Sequence, residues 1–492
     1  MKRFLSKNTP LTLPVFLILA KIVGAFYKIP LTSIIGAEGM GLYSAVFPLY
    51  CLALSLSSGG LTSAVSVVVA RRKEGFGKKA LSVLMLLVFI LSVIFSALII
   101  FLASVVIKPL SAYRSFILLL VTLPAVVFAS QSALIRGYFQ GKQVFFPGSV
   151  SHLVEQVIKA AAGLSLCLFF AKNPFLGALY ALAALSVSEA FTYAYLSFRL
   201  KRENIQRGER LANEVIRLLI PMTLSELITP LTVAAESVIA VRILTFISPS
   251  SGAAEYGVLS GAASSVLALP HTLFCAVSAW FLPVISSKPE EERSKATSTL
   301  LNASLGVGML CSVGLTLFSD VITELLFGAL TPSQKSLTSA LLLAGAIIPV
   351  LGAVRHSLVT LLIGVGKSRL GLIIGAIGGA IRVILCLVLP YKFGVIGVML
   401  AQVIGLFISV IVAIVFAAIS VKPRLNLTPT LKAATGTLVF ALTSVALRLF
   451  IPQNTLPLSL IPPVIGVVSC LITAVITGLI RVPILKRRAT GQ

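Results

Sequence analysis

Charge is what this chain has least of. Of its 492 residues, 11% are Asp, Glu, Lys or Arg, where an ordinary soluble domain carries about 25%. The shortage is mostly of acid, with 15 carboxylates against 40 lysines and arginines. An ordinary soluble domain is thereby excluded. Histidine is scarce as well: His152, His271 and His356 are the whole complement, scattered without the short intervals at which metal ligands recur, so no metal site is expected. The six cysteines, Cys51, Cys167, Cys275, Cys311, Cys386 and Cys470, lie in apolar stretches with no close-spaced pair, which argues neither for disulfides nor for a thiolate metal site. Acids arranged for catalysis are missing too. Asp320 and Glu324 form the one close pair near the expected outer face, without a plausible third group, so no catalytic residue and no enzyme activity is expected. Gly375, Gly378 and Gly379 make no phosphate-cradling loop and read as places of close helix packing. No cofactor is expected.

What the chain has instead is apolar length. Hydrophobic residues make up 58% of it, gathered into about 14 runs, from 11–34 to 457–480. Each is near or above the roughly 20 residues that cross a hydrocarbon core as a helix. The chain therefore reads as an all-α polytopic membrane protein of about 14 transmembrane helices. A net charge of +25 would suggest a nucleic-acid partner in a soluble protein, but here the bases follow the loops. With successive loops assigned to alternate sides, one side, which includes both ends of the sequence, holds Arg71-Arg72-Lys73, Arg199-Leu200-Lys201-Arg202, Lys486-Arg487-Arg488 and most other loop bases. The opposite side holds Lys108, Arg114, Lys172, Lys335 and Lys392. By the positive-inside rule the rich side is the cytoplasm. The expectation is a multi-pass plasma-membrane protein with both termini cytoplasmic, its basic loops contacting anionic lipids and no nucleic acid. The apolar stretch behind Met1-Lys2-Arg3 is too long for a signal sequence and carries two lysines, so it reads as a retained first helix.

Those two lysines, Lys21 and Lys28, share one helix face with Gly24 at i, i+3, i+7. A cation at membrane depth costs a few kcal/mol or more unless it faces water or a partner. The spacing thus points to a cationic stripe along an internal pathway and to an anionic substrate. Lys159, Arg242, Arg355 and Arg382 lie at similar depth, and so do Glu155, Glu189, Glu226 and Glu236. Lys28, Arg242 and Arg355 are near enough to predicted helix ends to snorkel instead. Glu155 and Lys159 are spaced i, i+4 to neutralise one another along a helix. Glu226, Thr229 and Glu236 share a face of the seventh helix, placed either to bind a coupling Na⁺ or proton or to pair with the first-helix lysines.

The chain also repeats itself. Gly36-Ala37-Glu38-Gly39-Met40-Gly41 precedes the second helix as Ala253-Ala254-Glu255-Tyr256-Gly257 precedes the eighth. Lys79-Ala80 aligns with Lys295-Ala296, Gln140-Gly141-Lys142 with Val365-Gly366-Lys367, and Val157-Ile158-Lys159 with Ala380-Ile381-Arg382. Four matches in order divide the chain into two pseudo-symmetric six-helix lobes, 1–214 and 215–421, followed by two extra helices and a basic cytoplasmic tail in 422–492. Six is even, so both lobes enter the membrane from the same side. Such parallel repeats place a substrate path between them.

Lys21-Ile22-Val23-Gly24-Ala25-Phe26-Tyr27-Lys28-Ile29-Pro30, Gly36 to Tyr43, Arg136-Gly137-Tyr138-Phe139-Gln140-Gly141 and Ser151 to Lys159 together resemble the stage V sporulation protein B group. That group belongs to the polysaccharide-exporter branch of the multidrug/oligosaccharidyl-lipid/polysaccharide (MOP) flippase superfamily. The resemblance implies a MATE/MurJ-like fold, with two lobes opening alternately around a central cavity. It also implies a role in moving a lipid-linked cell-wall precursor outward across the bacterial plasma membrane, for the vegetative wall or the spore cortex. MurJ-type relatives meet the substrate pyrophosphate with basic residues of the first helix. Lys21, Lys28, Lys159 and Arg382 are accordingly the expected pyrophosphate contacts, with Glu226, Glu236, Glu155 and Arg242 left for ion coupling or internal pairing. Coupling to Na⁺, H⁺ or the membrane potential is open, and a monomer suffices. Two alternatives stand beside this reading: an ion-coupled drug or cation antiporter of the same fold, which would concentrate acids in the cavity, and a non-transporting scaffold for wall assembly, which would tolerate loss of Lys21.

Overall fold

The structure, a computed structural model, describes residues 12–71, 78–106, 112–201, 211–287, 289–421, 426, 428–451 and 456–477. Every regular element among the described residues is helical. In chain order these are α1 (Thr12–Ser58), α2 (Leu61–Arg71), α3 (Lys78–Val106), α4 (Ala112–Gly141), α5 (Phe145–Phe170), α6 (Pro174–Lys201), α7 (Leu211–Ile247) and α8 (Gly252–Gly257). A single π-helical segment (Val258–Ala263) leads into α9 (Ser264–Ser287), α10 (Glu290–Leu326), α11 (Pro332–Ala344), α12 (Ile348–Gly364), α13 (Ser368–Ser420), α14 (Thr428–Phe450) and α15 (Leu456–Ile476).

Among the described residues eleven helices are long and apolar enough to cross a membrane, or twelve when α11 and α12 are joined across their 44° bend. Two of them are too long for a single crossing. α1 has 47 residues and α13 has 53, each more than twice the roughly 20 that one crossing takes. Each is broken by a glycine at positive φ: Gly36 at φ 71°, ψ 176° and Gly394 at φ 56°, ψ −140°. Only glycine enters that region readily. Nothing lies within 4 Å of a Cβ built at either position, so backbone angle, and no crowding, demands glycine there. Counted as two crossings each, α1 and α13 bring the total into line with the expected 14.

The chain divides into two compact units, Met1–Ser265 with Ala329–Gln334 and Gly375–Gly405, and Val266–Gly328 with Lys335–Ile374 and Leu406–Gln492. In the first unit, Leu31 and Met40 of α1, Leu118 of α4 and Leu182 of α6 share one buried cluster, while Leu61 and Val65 of α2 join Leu84, Leu134 and Tyr138 in another. Leu86 and Phe101 of α3 are exposed, as suits a face turned to hydrocarbon. In the second unit, Leu358 and Leu362 of α12 meet Ala413 and Ala417 of α13. There α10 is tied to the start of α14 through Asn302, whose Nδ2 donates to the Asn426 carbonyl at 2.8 Å, and to its end through Arg448 Nη2 and Asp320 Oδ2 at 2.6 Å.

Inside the first unit the two segments matched by the repeat touch one another. A Cβ added at Gly41 would collide with the Ala253 carbonyl, and one added at Gly257 with the Ala37 carbonyl. The contact is reciprocal, since Gly41 corresponds to Gly257 and Ala37 to Ala253 in the repeat. With no lipid-excluding drive available between helices in a bilayer, such close backbone approach supplies the dispersion contact that holds them. Gly41→Ala and Gly257→Ala should each destabilise the protein by roughly 1–3 kcal/mol through overpacking, and the double variant should fall short of their sum because both act on one contact. The thermal midpoint in detergent measures this, with Gly148→Ala, where a Cβ would meet nothing within 4 Å, as the neutral control. Equal midpoints for all three would remove the contact from the account.

Candidate functional site: a polar cavity inside the first unit

Charged and aromatic side chains of the first unit meet around a cavity of about 290 Å³. Its walls carry Lys28, Tyr43 and Phe47 from α1, Glu236 from α7, Tyr256 and Ser260 from α8 and the π-helical segment, and Arg382 and Gln402 from α13. Two of these walls exist only because their helices are broken. At 1.5 Å per residue, Lys28 and Phe47 would stand roughly 28 Å apart along a straight helix. With the break at Gly36, Lys28 Nζ lies 5.9 Å from the centre of the Phe47 ring. On α13, Arg382 and Gln402 would be separated by about 30 Å, yet both reach the same carboxylate. Arg382 Nε is in ion-pair contact with Glu236 Oε2, and Gln402 Nε2 donates to Glu236 Oε1 at 2.7 Å.

Glu236 is 2% exposed. In so dry a place an ionised carboxylate persists only with a counter-charge and hydrogen bonds to its remaining lone pairs, and Arg382 and Gln402 supply both. Lys28 is differently placed. Among the described residues no carboxylate lies within ion-pair distance of it, and its recorded neighbour is the face of Phe47. Among the described residues the cavity therefore holds one closed ion pair and one open cation, an arrangement that can receive an anion.

The other sequence candidates fall elsewhere. Lys21 is in the helical stretch of α1, but its side chain lies outside the described residues. Lys159 is on α5, outside the cavity wall, and close enough to Lys28 for the two cations to act on each other. Arg242 is exposed on α7 and does not reach the cavity. Glu226, expected on the same inward face as Glu236, instead serves the turn between α1 and α2: its Oε2 accepts the Gly60 N–H at 3.0 Å, beside the hydroxyl of Thr223, which donates to the Gly59 carbonyl. Glu155 is bound across helices. Arg136 Nη2 lies 2.9 Å from its Oε2, Gln156 Nε2 donates to its Oε1 at 2.9 Å, and Ser151 Oγ holds Arg136 Nε at 2.8 Å. The i, i+4 spacing to Lys159 loses to this partner, which stands on α4 more than a turn before its end at Gly141. Arg136 was visible in its motif but carried no sign of its partner.

The second unit has its own larger cavity, about 630 Å³, between α10, α14 and α15. Lys295, Asn302, Asn426 and Lys432 line it near the first turns of α10 and α14, and Val307, Leu310, Gly436 and Cys470 continue it. Its lining passes from basic and polar to apolar.

The Glu236–Arg382 contact yields a stability test. Glu236→Gln or Arg382→Gln alone leaves a buried charge without its partner and should cost about 3–5 kcal/mol, whereas removing both should cost much less. A double-mutant cycle on thermal midpoints reads the coupling. Additive losses would mean that the two groups do not share a charge balance.

With this geometry in view, likeness to known proteins is informative. The polysaccharide biosynthesis protein family matches residues 11–288, more than half of the chain. Stage V sporulation protein B of Bacillus subtilis (strain 168) is 27% identical over 335 residues, 63% of this chain and 64% of that protein, so the match spans less than two thirds of the relative's length. Among solved structures, the Lipid II flippase MurJ in its inward closed conformation aligns with a TM-score of 0.74 at 19% identity, over 95% of this chain and 100% of that one. An inward-facing multidrug resistance MATE family transporter of the MOP superfamily aligns with a TM-score of 0.62 at 15% identity, over 84% of this chain and 97% of that one. The expected all-α MATE/MurJ-like architecture and the resemblance read from the Lys21–Pro30 and later motifs are borne out. The chain belongs to the polysaccharide biosynthesis protein family and has a fold like those of MurJ and the MATE transporter.

Proposed function

We propose that this protein is an alternating-access flippase that moves the pyrophosphate–sugar head of a lipid-linked cell-wall or polysaccharide precursor outward across the bacterial plasma membrane. The observation that carries this reading is Lys28, a cation without a carboxylate partner among the described residues, facing a small polar cavity in an otherwise apolar helical protein. A lysine there can replace water around a phosphate on one side and surrender it to water on the other, since an ammonium is a point charge that makes no bidentate grip. The apolar tail of such a substrate needs no carrier, because it stays in the bilayer. Rocking of two lobes, read from the repeat at 1–214 and 215–421, would turn the cavity from one side to the other. No covalent step is required.

Finer points belong to the same proposal. A lipid II-like headgroup follows the name of the MurJ neighbour, and a part in spore cortex synthesis follows that of the sporulation relative. Lys21 and Lys159 are proposed as further pyrophosphate contacts beside Lys28, while Arg382 is engaged with Glu236. Both termini face the cytoplasm, basic loops meet anionic lipids, and the unit of function is one chain. Coupling is to Na⁺, H⁺ or the membrane potential. The engagement of Glu236 by Arg382 and Gln402 weighs against the antiporter reading, because the charge of that carboxylate is already balanced by a guanidinium.

Reconstitution tests the proposal. In proteoliposomes carrying a fluorescent undecaprenyl-pyrophosphoryl sugar, protein-dependent movement of the label, followed with an impermeant quencher, should fall at least about tenfold in Lys28→Gln, the equivalent of ~1.4 kcal/mol of lost binding to the moving head. Lys28→Arg should retain most of it. Wild-type rates in Lys28→Gln would discard the site, and exchange of a cationic dye against a Na⁺ or proton gradient without lipid movement would favour the antiporter.

A further inference from the structure

The second unit brings together three side chains that stand apart in sequence. His271 and Cys275 are one turn apart on α9, and His356 is on α12. The two imidazole rings have centroids 5.5 Å apart at 67°, and Cys275 Sγ lies 3.6 Å from His271 Nδ1. One ligand atom from each of the three falls within 4.8 Å of the others. We propose that His271, Cys275 and His356 form a binding site for a soft divalent transition-metal ion, of which zinc is the fitting example.

The donor set selects the class. Two imidazoles and one thiol are poor partners for Mg²⁺ or Ca²⁺, which take oxygen, and good ones for zinc and its neighbours in the transition series. Geometry agrees. With Zn–S near 2.3 Å and Zn–N near 2.0–2.1 Å, tetrahedral angles place a sulfur and a nitrogen on one ion about 3.5 Å apart, and the Cys275–His271 edge already has that length. The remaining edges, at most 4.8 Å, need to close by up to ~1.3 Å to reach the same figure, which side-chain rotation on two neighbouring helices provides. A residue and its i+4 neighbour on one helix turn, completed by a third ligand from another helix, is also the arrangement by which helical proteins assemble metal sites.

Cys275 binds as the thiolate, so its proton leaves to solvent as the ion arrives, and both histidines bind neutral. Three protein ligands leave the fourth tetrahedral position for water or another small ligand, which makes the site exchangeable and unlike a closed structural centre. When filled, it would join α9 to α12 through a single ion. The site lies outside the cavity that holds Lys28 and is independent of the flippase reading.

The same 3.6 Å would also suit a thiol hydrogen bond to an imidazole, so the test must separate the two. The full chain, purified in detergent and stripped with a chelator, is alkylated with and without Zn²⁺, and the rate at each of the six cysteines is read by peptide mass spectrometry. Zn²⁺ should slow the alkylation of Cys275 at least about tenfold, because a metal-bound thiolate is no longer a free nucleophile, while Mg²⁺ does nothing and the other five cysteines serve as internal controls. Protection, read in each variant as the ratio of its own rates with and without Zn²⁺, should vanish in His356→Asn and in His271→Asn. An unprotected Cys275 in the wild type overturns the proposal without any variant having to fold. Protection that survives both histidine substitutions overturns it equally, since it would mean zinc on the thiol alone.

Discussion

A carboxylate removed from water must share its charge within the protein, and Glu236 is where this chain meets that demand most fully. Its two oxygens are divided between Arg382 and Gln402, which fastens α7 to both arms of α13 through a single side chain. The far wall of the cavity is thereby fixed, and one possible acid partner is taken from Lys28 on the wall opposite. Had Glu236 met Lys28 instead, Arg382 would have been the open cation: the net charge of the cavity would be the same, but the group left to meet an anion would stand on α13 and not on α1. The placing of one negative charge thus decides which cation the space presents.

That distribution depends in turn on backbone geometry. Arg382 and Gln402 serve one carboxylate because Gly394 turns α13 back on itself, and Lys28 reaches Phe47 because Gly36 does the same for α1. At these two positions positive φ converts distance along the chain into proximity in space. A residue with a Cβ would have room there but would have to hold a strained backbone. The polar site is built on interruptions of an otherwise regular helical protein.

Much of this was legible in the amino-acid sequence, for a physical reason. Apolar runs report membrane crossings directly, since the bilayer sets their length, and an ionisable residue inside such a run stands out against its neighbours. Lys28, Glu236 and Arg382 were found in that way, and they share one cavity. Their pairing was not legible. Helical periodicity relates residues within a turn or two, so it offered Lys159 to Glu155 and had no means of offering Arg136. It set Glu226 beside Glu236, although the turn at Gly59–Gly60 claims the first and α13 the second. The same blindness hid the nearness of His271 and His356, whose separation along the chain looked like scatter. What one sequence conveys is which solvent each residue was made for; which partner it meets depends on how broken helices fold back.

The reciprocal contact between Gly41 and Gly257 has a mechanical side. Where helices meet through interlocked side chains, any relative rotation forces rotamers to change and layers to repack. Here each glycine rests against the other strand of the repeat by its bare main chain, against carbonyl oxygens and with no side chain to engage. Such a joint sets the separation of the two segments by main chain alone, while one turn on the side chains of Met40 and Thr32 close against Gly261. A spacing fixed in that way cannot be altered by a change of rotamer, and it stands directly beside Tyr43 and Tyr256 in the cavity wall.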